Sequence, residues 1–191
     1  MNLSKAEYAV LRQTIAARGT VRMVLFPVTM IGWATLALVV LTFADAPVAS
    51  LLPLAVLLGG FEAIHALHVG VERIGRYLQV YYENPDAGPR WETVAMAVGP
   101  ALPGGGVDPL FTFVFASATF VNILPALIVQ PPPTATELGV IGVLHLGTVV
   151  RIVRARGAAA RQRAVELESF RALHGQIPRS KPQTPNPMDS N

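Results

Sequence analysis

Residues 23–43 read MVLFPVTMIGWATLALVVLTF, a run without a single ionisable side chain. A helix rising about 1.5 Å per residue needs about 20 residues to cross a hydrocarbon layer of roughly 30 Å, and this run meets that length. Three more apolar runs follow it: Val48 to about Gly70, Leu110 to Val129, and about Thr134 to Val150, the last of them short for a crossing. Across all 191 residues, 52% of the side chains are hydrophobic, 14% are charged and the mean hydropathy is +0.46. That balance excludes an ordinary soluble domain and makes lipid the expected solvent.

The basic residues orient the runs. Lys5, Arg12, Arg18 and Arg22 precede the first run; Arg73, Arg76 and Arg90 lie between the second and third; the other eight of the 15 lie from Arg151 to Lys181. The short connections around Asp45–Pro47 and Gln130–Glu137 contain none. Lys and Arg near span ends are retained in the cytoplasm, so the expected arrangement is four crossings with both termini cytoplasmic, in a bacterial plasma (inner) membrane. Ala44-Asp45-Ala46 resembles a small-x-small cleavage site, but the apolar run before it exceeds a signal core of roughly 7 to 15 residues and Pro47 would follow the cut. A signal anchor is the reading adopted.

The expected fold is therefore all-α: a polytopic membrane protein with four transmembrane helices in a bundle, short cytoplasmic amphipathic helices and a disordered C-terminal tail. Residues 1–20 read as an N-terminal amphipathic cytoplasmic helix, with Ser4 and Glu7 spaced as a capping box, Tyr8, Leu11 and Ile15 as its apolar stripe, and Gly19 as its C-terminal cap. Residues 21–175 form the membrane domain, with spans at about 23–43, 48–70 continuing to 83, 110–129, and 134–150 continuing to 174. Asn84-Pro85 ends the second helix. The middle connection carries an interfacial helix anchored by Trp91, with Trp91, Val94, Ala95 and Val98 as its periodic apolar positions, Pro89 near its start and Gly99-Pro100 at its end. Pro103–Gly106 reads as a hinge, and Asp108-Pro109 as the cap and first residue of the third span. Residues 176–191, with Pro178, Pro182, Pro185 and Pro187, form a polar Pro-rich tail expected to be disordered.

The stretch from Glu62 to Arg76 holds the chemistry-bearing side chains. At 100° per residue, Glu62, His65, His68, Glu72 and Arg76 share an arc of roughly 120° on one helix. Charged groups at the bilayer centre cost several kcal/mol, so that face should meet another helix or a wet cavity. Matched by depth, the expected partners of Glu62 and His65 are His145 on the fourth span and Asn122 on the third. Gly139, Gly142, His145 and Thr148 form a small-and-polar row, and Ala118, Asn122 and Ala126 a second; both suit close helix approach.

Four uses of the cluster stand open: a structural polar network in which Glu72 and Arg76 pair at i, i+4; a proton, ion or small-solute pathway; a divalent metal site built on Glu62, His65 and His145; and bis-histidine haem between the second and fourth helices. With no cysteine, thiolate sites and disulfides are excluded. No nucleophile elbow surrounds any serine and no Lys-Ser/Thr follows Pro103–Gly106 as a phosphate loop requires, so an enzyme is not the expected reading. The expected role is a noncatalytic membrane component or interaction scaffold, with transport or cofactor binding as the alternative. Its expected partners are the lipid bilayer, anionic headgroups met by the basic arms, and a further membrane protein or a second copy. Nucleic acid is not expected, because the basic residues flank apolar runs instead of forming a polar domain.

Overall fold

The computed structural model describes residues 3–83, 90–98 and 109–176, and their regular structure is entirely helical. The elements are α1 (Leu3–Phe43), a 3-10 turn (Pro47–Ser50), α2 (Leu51–Tyr81), α3 (Trp91–Val98), α4 (Pro109–Val121), α5 (Leu124–Ile128) and α6 (Ala135–Gln176). Four stretches are long and apolar enough to cross a membrane: Lys5–Phe43, Pro47–Tyr81, Phe111–Ile128 and Ala135–Gln176. A helix, α3, is present in the middle connection and begins at Trp91, and Pro109 opens α4 as a first-turn proline should. The Asn84-Pro85 break, Pro89, Gly99-Pro100, the Pro103–Gly106 hinge, the Asp108 cap and the Pro-rich tail beyond Gln176 lie outside the described residues.

Three sequence expectations change. Gly19 does not end a helix, because α1 runs unbroken through it for 41 residues. Stopping there would strand the last carbonyls of one helix beside the apolar run, whereas continuation gives them partners. Ser4 lies within α1 and not at the N-cap position expected for it, and Glu7 accepts a hydrogen bond from the Tyr77 hydroxyl at 2.9 Å. The third run is not one helix either. Pro125 has no N–H to donate to the Val121 carbonyl and its ring crowds that oxygen. The chain therefore turns at Asn122 and Ile123, with the Ile123 N–H reaching the Phe120 carbonyl at 3.2 Å, before α5 resumes.

Helices α1 and α2 run antiparallel, as their side-chain contacts descend along one and ascend along the other: Glu7 with Tyr77, Arg22 with His68, Thr29 with Gly60. Helices α2 and α6 run parallel, with Glu62 meeting Arg151, Arg76 meeting Glu166 and Tyr81 meeting His174. Among the described positions of α6, Ile141, His145, Thr148, Ile152, Ala155 and Ala159 are buried, a three-and-four alternation that places one stripe against the other helices. The apolar core gathers Leu57, Phe61 and Ile64 of α2, Phe115 and Ala118 of α4, and Ile152 and Ala155 of α6, with Phe26, Met30 and Trp33 of α1 closing it.

Close approach of α1 and α2 rests on Gly60. A Cβ added there would lie 2.8 Å from the Cβ of Thr29, a distance that no side-chain rotation relieves. Gly59 has open space in the same test. Gly60→Ala should therefore destabilise the fold by about 1–3 kcal/mol through overpacking. Gly59→Ala should be neutral or stabilising by up to about 1 kcal/mol, since alanine is the better helix former. Denaturant titration of the two purified variants in detergent checks the contrast.

Candidate functional site

Two polar assemblies tie the long helices together. The first centres on Asn122, at the break between α4 and α5, where Pro125 prevents a continuous helix. Its Oδ1 accepts from the Trp33 indole N–H of α1 at 3.0 Å. Its Nδ2 donates to the Ser50 carbonyl at 2.8 Å, just before α2, and to His145 Nε2 of α6 at 3.0 Å. His145 Nδ1 lies 2.8 Å from the Ile141 carbonyl, which can only accept, so the ring proton sits on Nδ1 and Nε2 is the acceptor. Asn122 and His145 are 1% and 2% exposed, and both are hydrogen-bonded, as burial demands.

The second assembly is a series of ion pairs between α2 and α6. Arg151 donates to Glu62 at 2.7 Å, Arg163 pairs with Glu72, and Arg76 pairs with Glu166 through both Nη2 and Nε, the latter at 3.0 Å. Arg73 and Gln162 add donors to the other oxygen of Glu166, at 2.9 and 2.7 Å. The expected Glu72–Arg76 pair is present at 3.5 Å. Arg76 is 3% exposed, so its charge is held away from solvent by two carboxylates. Tyr77 against Phe170 and Tyr81 against His174 continue the same alignment, with ring centroids 5.9 and 4.9 Å apart.

The sequence-derived cluster thus splits. Asn122 and His145 hydrogen-bond to each other, whereas Glu62 and His65, the partners expected for them, have their contacts elsewhere. The ion pairs set α2 against α6 so that Glu62 lies near Arg151, well over a turn further along α6 than His145. His65 stacks on Phe61, centroids 5.8 Å apart and rings nearly parallel, and His68 accepts from Arg22 at 3.0 Å through Nδ1. Gly139 and Gly142 make no close approach, having nothing within 4 Å of an added Cβ; the buried side chains of that row are His145 and Thr148. Ala118, Asn122 and Ala126 are all buried and form the expected packing row.

Sequence reasoning missed the partners. Arg151, Arg163 and Glu166 belong to a basic segment assigned to the membrane surface, yet they supply the counter-charges of the Glu62–Arg76 face. A T-x-x-E signal also went unread: Thr134 and Glu137 form a reciprocal capping box at the start of α6, with Glu137 accepting from the Thr134 N–H at 2.8 Å and donating its own N–H to Thr134 Oγ1 at 3.2 Å. Just past the end of α2, Glu83 accepts from the backbone N–H groups of Glu92 and Thr93 at 2.5 and 2.8 Å and so caps the start of α3. Glu92 in turn meets Arg12 of α1 at 2.7 Å.

A cavity of about 390 Å³ lies among α1, α2, α4 and α6, with Arg22, His65 and His68 among its lining and aromatic rings making much of its wall. Among the described residues no three His, Asp or Glu side chains converge as a metal site would require. The donor geometry agrees, since both His145 nitrogens are already engaged and Glu62 is paired with Arg151. Comparison with protein-family models, with curated proteins and with solved structures gives no match for this chain.

Replacing Asn122 by Ala removes one acceptor and two donors from buried partners, and each unsatisfied buried group costs about 1–3 kcal/mol. Asn122→Ala should lower stability by at least about 2 kcal/mol, and Asn122→Asp should fail to rescue it because a carboxylate cannot donate to Ser50 or His145. Thermal unfolding in detergent reads both.

Burial pushes the Glu166 carboxyl upward, but the hydrogen bonds from Arg73, Arg76 and Gln162 outweigh it and hold the group below its ordinary value of 4.5. A depressed carboxylate stabilises the fold fully above its unfolded-state value and loses that contribution as pH falls through the lower folded-state value. The melting temperature should hold down to about pH 4.5 and decline below it, with a smaller decline in Glu166→Gln.

Proposed function

We propose that the chain is a noncatalytic integral membrane component: a four-span bundle whose α1, α2 and α6 extend past the bilayer on the cytoplasmic side and act there as an interaction scaffold. One observation carries this reading. The ionisable groups of the Glu62–Arg76 face that lie against α6 are committed to one another, Glu62 to Arg151, Glu72 to Arg163 and Arg76 to Glu166. Such a set fixes the register of two helices and leaves no carboxylate waiting for a proton or a metal. Haem ligation by His145 would require breaking its bond to Asn122, and transport through Glu62 would require releasing Arg151.

Length supports the extension. At about 1.5 Å per residue, a helix of the length of α6 runs about 60 Å, twice the roughly 30 Å of a hydrocarbon core. Exposed apolar side chains such as Met23, Ile31, Leu38, Phe113, Phe120, Val143 and Leu146 suit a lipid-facing belt. The distribution of Lys and Arg supports cytoplasmic termini. Helix α3 turns Glu92 toward Arg12 and leaves Trp91, Val94 and Val98 exposed, the pattern of a helix lying in the headgroup layer. The basic segment of α6 and the arginines of α1 then sit where anionic headgroups would meet them.

The absence of native cysteine makes the topology directly testable. Single cysteines at Ala46 and Pro133 should react with a membrane-impermeant maleimide added to intact cells, whereas one at Arg171 should react only after permeabilisation. Labelling of Ala46→Cys and Pro133→Cys solely after permeabilisation would overturn the orientation. For the role itself, vesicles reconstituted with the chain should show the same proton leak with Glu62→Gln as with glutamate, and a Glu62-dependent flux would replace the scaffold with a transporter.

A further inference from the structure

The cavity among α1, α2, α4 and α6 is apolar along most of its length and cationic at one place. Phe26, Phe61 and Phe111 face it, with centroids 5.5 Å apart for Phe26 and Phe111 and 6.2 Å for Phe61 and Phe111. Arg22, His65 and His68 line it as well. Its volume, about 390 Å³, falls in the lower part of the range of small-molecule sites.

Arg22 differs from five of the arginines that bridge helices. Arg12, Arg73, Arg76, Arg151 and Arg163 each meet a glutamate. Among the described residues no carboxylate pairs with Arg22; it donates to the unprotonated Nδ1 of His68, a neutral acceptor. The nearby carboxylate of Glu72 is already taken by Arg163 and Arg76, and stands 3.6 Å from the far nitrogen of His68. A half-buried guanidinium beside an apolar chamber thus has no carboxylate partner among the described residues, and its planar fork matches a carboxylate in geometry.

We propose that this cavity binds a single-chain amphiphile with a carboxylate head, a long-chain fatty acid, whose head pairs with Arg22 while its chain lies against the three phenylalanines. One chain fits the volume better than the two of a bilayer phospholipid, and the charge supplied is the one the site lacks. The proposal does not depend on the scaffold role.

The test uses the full chain reconstituted in phosphatidylcholine vesicles, with doxyl-labelled octadecanoic acid as the probe and its methyl ester and doxyl-labelled phosphatidylglycerol as comparisons. The motionally restricted fraction of the electron paramagnetic resonance spectrum reports occupancy. Loss of one charge-assisted pair corresponds to roughly tenfold in affinity or more. The acid should be retained about tenfold more strongly than the ester, Arg22→Gln should bring it to the level of the ester, and Arg22→Lys should keep most of the preference. Thr112→Phe, which fills the cavity and leaves Arg22 in place, should reduce retention of acid and ester alike, and it keeps the test open if Arg22→Gln fails to fold. Equal retention of acid and ester, or retention of phosphatidylglycerol as strong as that of the acid, would overturn the proposal. A Glu62-dependent proton flux with intact acid binding would remove the scaffold reading and leave this site standing.

Discussion

Helices α2 and α6 lie parallel at one fixed alignment, and most other contacts follow from it. At the end nearer Ser50, the Asn122 amide joins the start of α2 to His145; at the far end, Arg76 and Glu166 close the same pair of helices. Between those points Phe61, Ile64, Ile152 and Ala155 fill the interface with apolar volume. Apolar packing alone tolerates sliding by a turn, because one leucine-sized knob resembles the next. Hydrogen-bonded and charged partners do not, since a shift leaves buried groups unsatisfied at several places together.

The cost of burying Arg76 explains the density of charge around it. A lone guanidinium at 3% exposure would be strongly unfavourable, so Glu72 and Glu166 approach it and are themselves shared with Arg163, Arg73 and Gln162. An ion-pair network of this kind adds little net stability against a hydrophobic replacement, yet it discriminates sharply between alignments. Glycine does the complementary work between α1 and α2, where Gly60 lets the Thr29 side chain lie against backbone.

Much of this was legible in the residues. Four apolar runs, the helix at Trp91, the start at Pro109 and the Ala118–Asn122–Ala126 row follow from period and punctuation. Depth matching failed for Glu62 because it weighs only position along the helix, whereas Arg151, further along α6, has a side chain long enough to reach the Glu62 carboxylate. Gly19 misled because glycine ends helices in water, where stranded carbonyls can be hydrated, but not beside an apolar run that keeps backbone bonds internal. Pro125 was visible as a break and went unused; its effect is to free a position at which Asn122 can serve three neighbours.

The bond from Glu83 to the first backbone N–H groups of α3 has a consequence for evolution and engineering. A carboxylate just past the end of one helix that grips the first N–H groups of the next fixes where α3 begins relative to the end of α2. Loop-closure entropy grows only by about 0.6 kcal/mol for each doubling of length. The joint thus resides in one side chain and one helix start, and a lengthened connection that kept Glu83 and the first turn of α3 would keep the joint.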